Sequence, residues 1–451
     1  MLPTSLQTLS VSPLRQLRSL MQPMSMYSWL KEQREDIALL RILGRDYVGV
    51  LTPEGLRQVF AANPMGYEVF WKDSFAGLHG DGSLFVLVGD RHRKERQLLM
   101  PAFHANHFRT YGSTIRNITH QHTEKWQHGQ VIKTIDTTLA ISLDVIMRLV
   151  FGVVDEKLMQ EGRRSLTALM KTVHPLLVFA PALHHPWFPL WREHIRAKAD
   201  FSDWFKRYLH WRRARIEDTN DVLGRMLAAR YEDGSQMQDE DIQDELVTIL
   251  LAGHNTTATA MAWALYELGR HPAELEKLRA ELATLGSDPE PELIVQLPYL
   301  SAICNETLRL HTILAETGRV LTSPLTLFGH TIQPGISVMV SIIGIHHDPT
   351  IYTEPYSFIP QRFIERNYGP FEFLPFGGGH RRCLGANLSE YEMRIALAEI
   401  VTNWDFEPTE IEREVRQDIA MGPKNGVRLR IKGRRSLAEI SNQTQVSARK
   451  D

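Results

Sequence analysis

Cysteine is almost absent from this chain: its 451 residues include only Cys304 and Cys383. So few thiols exclude a disulfide-stapled scaffold and fit a reducing cytosol. A single Cys304–Cys383 bridge remains as the structural alternative. Long apolar runs are missing too. Arg15, Arg18, Lys31, Arg34, Glu35 and Asp36 are scattered through the N-terminal region. No stretch there approaches the roughly 20 apolar residues that span a bilayer. The charged and apolar regions of a secretory signal are also missing. The expectation is a cytoplasmic chain without a membrane anchor. Charge of one sign is lacking as well: the net charge of -2 argues against a nucleic-acid partner. Hydrophobic residues at 43% and charged residues at 23% are ordinary globular values, so the chain can bury a large core and a cofactor. Length alone suggests about three domains, but no linker divides the sequence.

What stands out is Phe371 to Gly385, Phe-Glu-Phe-Leu-Pro-Phe-Gly-Gly-Gly-His-Arg-Arg-Cys-Leu-Gly, followed by helical periodicity from Ala386 to Val401. A thiolate that binds a metal must be kept deprotonated. A helix N-terminus carries partial positive charge, and Arg381 and Arg382 add more. Glycines 377 to 379 allow positive φ and turn backbone N–H groups toward the sulfur. Phe376 is placed to pack on something flat. Iron held by the Cys383 thiolate fits these features, and such ligation in haem proteins favours O–O cleavage. An inert buried cysteine is the plain alternative. A phosphate loop is excluded, because Cys-Leu-Gly stands where Lys and Ser/Thr should close the motif.

The stretch resembles the loop of the cytochrome P-450 superfamily, Phe-x-x-Gly-x-Arg-x-Cys-x-Gly, met here by Phe376, Gly379, Arg381, Cys383 and Gly385. The resemblance runs from about Leu39 to Lys432 and favours soluble bacterial members. It implies a mainly α fold with small β-sheets, with haem b between a long distal helix and the proximal Cys383 loop and its helix. Residues 1–435 would form one domain, and 436–451 a disordered tail. The family suggests a helix near Met26 to Glu35 and strands within Ile37 to Val50. Thr52–Pro53 reads as a capped helix start running to Asn63.

Pro64 to Gly89 lacks a clear period and is rich in aromatics. In the family it is a loop over the distal pocket, here offering Phe75, Leu84 and Phe85. Gly89 to His104 resembles the family's third helix. His92 and Arg96 lie four apart on one face and would hold a haem propionate. Gly377 and Phe376 would contact the cofactor, and Arg319 matches a propionate-binding arginine. Arg91, Arg93 and Lys94 read as a solvated face or, by the resemblance, as the docking side for a ferredoxin or flavodoxin-type donor. His104, His107, His120 and His122 lack any zinc-type motif. Leu176 to Pro189 would roof the pocket.

Glu240 to Arg270 is the longest helical pattern, with acidic residues at its positive end. Its polar break reads Ala252-Gly253-His254-Asn255-Thr256-Thr257, which matches the family's Ala-Gly-x-Asp/Glu-Thr-Thr except at Asn255. By that resemblance Ala252 and Gly253 leave space for dioxygen. Thr256 orders water for proton delivery. An amide does not ionise near neutral pH, so Asn255 alters the family's proton route. Glu306, Arg309 and Arg362 match a buried structural network behind the haem. Ile249, Ala252, Leu314, Ala315, Glu316 and Met421 are further pocket candidates, with Glu316 facing solvent or a polar substrate group. His346 to Pro349 reads as a structural turn.

The activity implied is a monomeric monooxygenase that hydroxylates a lipophilic small molecule. Fatty acids or terpenoids are favoured and steroids admissible. Asn255 supports an alternative, a peroxide-using or rearranging enzyme without a redox partner. A haem protein that only senses or binds is the third reading.

Overall fold

The structure, a computed structural model, describes residues 8–33, 36–42, 45–103, 109–152, 156–214 and 221–435. His104, His107 and the 436–451 tail lie outside the described residues. Helices dominate. Those that frame the site are α1 (Pro13–Met21), α2 (Pro23–Glu32), α3 (Pro53–Phe60), α4 (Lys72–His79), α5 (Gly89–Leu99), α6 (Gly112–Thr123), α7 (Thr134–Phe151), α8 (Pro189–Arg213), α9 (Asp239–Arg270), α10 (Pro298–Leu310) and α11 (Ala386–Asn403). Cys304 and Cys383 are both free, so the disulfide alternative falls.

Helix α9 has 32 residues, a length of about 48 Å at 1.5 Å per residue. Asp239, Glu240 and Asp241 fill its first turn and Arg270 its last, which complements the helix dipole at both ends. Every residue from Thr257 to Leu268 is buried. A helix apolar or small all round belongs in the middle of a large protein. Here α9 packs along α7, and α10 and α11 lie against it.

A six-stranded sheet forms from β1 (Thr8–Ser10), β2 (Ile37–Ile42), β3 (Arg45–Val50), β4 (Tyr67–Val69), β5 (Glu316–Leu321) and β6 (Ser337–Ser341), in the spatial order β1-β2-β3-β6-β5-β4. Leu39, Val48, Val50, Val338 and Val340 share a buried cluster with Leu56 and Val59 of α3. Helix α3 starts where the sequence signals it: Thr52 accepts the Gly55 N–H at 3.3 Å, and Pro53 opens the first turn. A separate hairpin, β7 (Glu414–Arg416) with β8 (Met421–Pro423), pairs Arg416 with Met421.

Two expectations change. The helix expected near Met26 to Glu35 begins earlier, at Pro23. The stretch from Pro64 to Gly89 is not a loop throughout, because it contains β4 and α4. Local periodicity is absent there. Tertiary contacts supply the order instead: Trp71, Phe75 and Phe85 pack ring on ring, and Gly82 N–H donates to Asp244 of α9 at 3.0 Å.

Behind the sheet, α10 buries an ion network. Arg309 Nε and Nη2 grip both oxygens of Glu306 at 2.7 and 2.9 Å. Arg362 Nε reaches the same carboxylate at 3.1 Å, and Ile359 N–H donates to it at 2.8 Å. Remaining guanidinium protons go to backbone carbonyls of His346, Pro355 and Thr353. Side chains of Glu306 and Arg309 have no exposed surface. Replacing Glu306 with Ala strands two buried cations, so unfolding in urea is expected to show a loss of about 3–5 kcal/mol. A loss below about 1 kcal/mol, the value of a surface pair, would contradict the structural role.

Candidate active site

The loop before α11 is built on backbone hydrogen bonds. Gly377 N–H donates to Leu374 O at 2.9 Å, and Cys383 N–H to Phe376 O at 2.9 Å. Gly377 and Gly379 both have φ of +66°, a region costly for residues with a Cβ. At Gly379 a Cβ would also meet the Phe60 carbonyl at 2.9 Å, so α3 presses on the loop. The ion network continues into this loop. Tyr352, whose ring lies under Arg309, donates to Glu372 O at 2.9 Å. His346 Nε2 accepts from Leu374 N–H at 3.0 Å while its Nδ1 side meets Thr312. The His346 turn is thus a brace for the loop.

Cys383 is exposed toward open space on one side. Protein packed around it pushes the thiol up, opposed by the Gly385 N–H and by Arg382 and Arg96. Cys304 differs: wholly buried in α10, it is pushed up to about 12 by desolvation. Phe376 packs on the main core, with Arg382 over its ring.

Around the loop, cations gather without acids. Arg96, Arg319 and Arg381 come together with His92 and His380, and among the described residues no carboxylate pairs with any of the three arginines. Arg381 donates to the carbonyls of Leu84 (3.0 Å) and Leu87. Burial and the neighbouring Arg319 and Arg96 lower it to about 10, and its Nε has no partner. Burial and the same cations push His92 down to about 3. His380 faces His92 ring to ring at 5.7 Å and is hydrogen-bonded to the Tyr67 hydroxyl at 2.7 Å. Arg319 lies over that Tyr67 ring. Tyr67 and His380 escaped the sequence reading: nothing local signals that β4 pairs with β5, which sets Val69 opposite Arg319.

Beyond its acidic first turns, the burial of α9 loosens between Ile249 and Thr256, where Leu251 is half-buried too. Ile249, Ala252, Gly253 and Thr256 are only half-buried, at the i, i+3, i+4, i+7 spacing of one helix face. Thr256 Oγ1 donates to Ala252 O at 2.7 Å. Asn255 is also half-buried. Gly253 has a packing reason besides space, since a Cβ there would meet Ile146 of α7 at 2.7 Å. Thr257 donates to Ser389 of α11 at 3.0 Å and ties the two helices together.

The other pocket candidates divide. Phe75 and Phe85 stand 5.5 Å apart, and Leu84 is buried beneath Arg381. Leu314 and Ile249 are half-buried against the core. Ala315 and Met421 pack on each other with Ile343. Glu316 is half-buried and paired with Arg416 on β7, whose side chain is buried. His120 and His122 bind Glu399 and Asp144, and no metal-holding group occurs among the described residues. No helix among the described residues is long and apolar enough to cross a membrane.

These residues fit a haem. Cys383 would supply a sulfur ligand on a loop held by backbone hydrogen bonds. Gly377 and Gly385 face space in which a Cβ would touch nothing within 4 Å. The unpaired arginines need anions, which two propionates provide. The half-buried stripe of α9 offers a face with one hydroxyl.

Comparison with known proteins points the same way. The family model described as Cytochrome P450 matches residues 5–430. Cytochrome P450 135B1 of Mycobacterium tuberculosis is 32% identical over 409 residues, covering 88% of this chain and 84% of that protein. Cytochrome P450 137 of Mycobacterium tuberculosis is 34% identical over 363 residues, covering 79% and 74%. Two solved structures share the fold. Retinoic acid-bound cyanobacterial CYP120A1 has a TM-score of 0.79 at 23% identity and covers 89% of this chain and 93% of its own. The cytochrome P450DA heme domain has a TM-score of 0.81 at 22% identity, covering 95% and 98%. The chain therefore belongs to the cytochrome P450 superfamily, haem-thiolate monooxygenases that carry haem b and take dioxygen as co-substrate.

Proposed function

We propose that this monooxygenase hydroxylates a lipophilic small molecule, a fatty acid or terpenoid ahead of a steroid, with two electrons supplied singly by a ferredoxin or flavodoxin-type donor. The observation that carries this reading is the half-buried stripe of α9, apolar at Ile249, Ala252 and Gly253 and polar only at Thr256. Phe75, Phe85 and Leu314 extend the apolar lining. The protein acts as a single domain and a monomer in this reading.

Bound haem supplies the oxygen activation and the oxidation itself. The chain supplies position and protons. Cys383 would hold the metal, and the Phe376 and Gly377 backbone bonds shape the loop that carries it. Arg96, Arg319 and Arg381 would pair with the propionates, and His92 would donate one hydrogen bond. Each charge-assisted bond also relieves repulsion among the arginines. Thr256 can turn its hydroxyl from the Ala252 carbonyl toward solvent in the distal space and hold a proton there. Asn255 can order that solvent but cannot give up a proton.

The donor side is less basic than the sequence suggests. Arg91 pairs with Asp241 at 2.8 Å and Arg93 with Asp90 at 3.3 Å. Lys94 and Arg382 remain exposed, and Arg382 is next to Cys383. An acidic donor meets that pair. Asn255 favours the peroxide-using alternative, and Thr256 on the open face favours the dioxygen route.

Titration of the purified ferric protein with fatty acids, terpenes and steroids tests the substrate class. A low-to-high-spin shift with fatty acids or terpenes is expected; a shift with steroids alone, or with none, overturns the proposed class. Asn255→Asp is expected to raise the share of reductant that ends in product rather than peroxide. Unchanged coupling would show that the amide has no special role.

A further inference from the structure

One segment is tied to both the distal helix and the cysteine loop. Gly80 to Leu87 leaves α4, meets the flank of α9 and ends at the carbonyls that Arg381 holds. Two glycines let it close on the helix. Gly80 has φ of +106°, and a Cβ there would run into the Asp244 carboxylate. At Gly82 a Cβ would meet Asp241, and the Gly82 N–H donates to Asp244 at 3.0 Å.

Between the segment and the helix stands a pair of hydroxyls. Thr248 Oγ1 of α9 lies 2.7 Å from Ser83 Oγ and 2.8 Å from the Asp244 carbonyl oxygen. Ser83 Oγ also accepts the Phe85 N–H at 3.1 Å. Each hydroxyl has one proton, so the chain closes when Ser83 donates to Thr248 and Thr248 to the Asp244 carbonyl. Ser83 is 0% exposed and Thr248 4%. Ser83 O takes the N–H groups of Val86 at 2.8 Å and Leu87 at 3.0 Å, and Arg381 donates to Leu84 O and Leu87 O. The segment is therefore held from α9 at one end and from the Cys383 loop at the other.

From Gly82 to Leu87 every residue is buried except Phe85, which is half-buried. Its ring lies 5.5 Å from Phe75 and 5.3 Å from His79, both buried on α4, so the open part of the ring faces away from α4. Thr248 directly precedes Ile249 and stands about one turn before Ala252, at the edge of the half-buried stripe.

We propose that Thr248 is a positioning residue for substrate: acting through Ser83, it sets where the Phe85 ring stands beside the distal stripe. Thr248 itself touches no reacting atom. The inference rests on Phe85 as a wall of the pocket and adds what holds that wall in place. Arg381 ties the far end of the segment to the cofactor seat, so the Ser83–Thr248 contact is the end that can be altered without disturbing haem.

The test uses the full-length holoenzyme as wild type, Thr248→Val, Thr248→Ser, Ser83→Ala and the double variant Ser83→Ala/Thr248→Val. Imidazole and 4-phenylimidazole are titrated into the ferric protein, and the ratio of their affinities reports the space beside the iron without any substrate. The preference for 4-phenylimidazole over imidazole is expected to fall about fivefold in Thr248→Val and in Ser83→Ala, the scale of one neutral hydrogen bond. Thr248→Ser keeps it, and the double variant falls no further than either single one, as a coupled pair requires. Haem content and imidazole affinity stay at the wild-type level throughout. An unchanged preference in either single variant overturns the proposal. So does an additive loss in the double variant, or a loss in Thr248→Ser equal to that in Thr248→Val. Should Thr248→Val fail to hold haem, Ser83→Ala decides. Dodecanoic acid is titrated into the same set: no spin shift in the wild type counts against the proposed substrate class, while the two imidazoles still judge Thr248.

Discussion

The buried carboxylate of Glu306 is the constraint on which the active site depends. Two guanidinium groups share it, Arg309 with no exposed surface and Arg362 nearly buried. Such a cluster adds little net stability against an apolar core, but removing one member is costly. What it contributes is geometry. Arg309 and Arg362 spend their remaining donors on carbonyls between His346 and Ser357. From there Tyr352 and His346 hold Glu372 and Leu374. The next residues form the Cys383 loop, which Phe60 of α3 presses from the other side. The sulfur therefore sits on a loop whose shape is set partly by contacts outside it.

Two electrostatic fields meet across this site. On one side Arg96, Arg319 and Arg381 gather with His92 and His380, and among the described residues no carboxylate pairs with these arginines; an anionic cofactor would relieve that repulsion. Along the N-terminal half of α9 the imbalance is reversed: Glu95 and Glu245 are carboxyls raised by burial, with unpaired oxygens. Burial drives both, since it penalises whichever charge lacks a partner. Thr256 lies on the half-buried stretch from Ile249 to Thr256 of the distal helix.

Much of this was legible in the sequence, for definite reasons. The Cys383 loop is local: its glycines, arginines and following helix are adjacent in the chain, so their joint purpose shows without a fold. Helix α9 announces itself by length, acidic start and an interrupted apolar run. Glu306 and Arg309 are three apart, so their pairing shows in the helical spacing, whereas Arg362 could be joined to them only through family resemblance, because its contact with Glu306 spans 56 residues. Other features stayed hidden for the same reason. The order within Pro64 to Gly89 comes from rings meeting across α4 and from Asp244 capping Gly82. Glu316 reads as exposed until the β7–β8 hairpin delivers Arg416. Tyr67 and His380 meet only because β4 pairs with β5. Glu95 and Glu245 look like surface acids on helical segments, yet the fold buries both.

The most direct test of the central claim is the absorption spectrum of the reduced protein with carbon monoxide, compared between wild type and Cys383→Ser. The account predicts the long-wavelength Soret band of thiolate ligation in the wild type and its loss in Cys383→Ser. A Cys383→Ser spectrum identical to wild type, or a wild type without that band, would mean that Cys383 does not hold the iron.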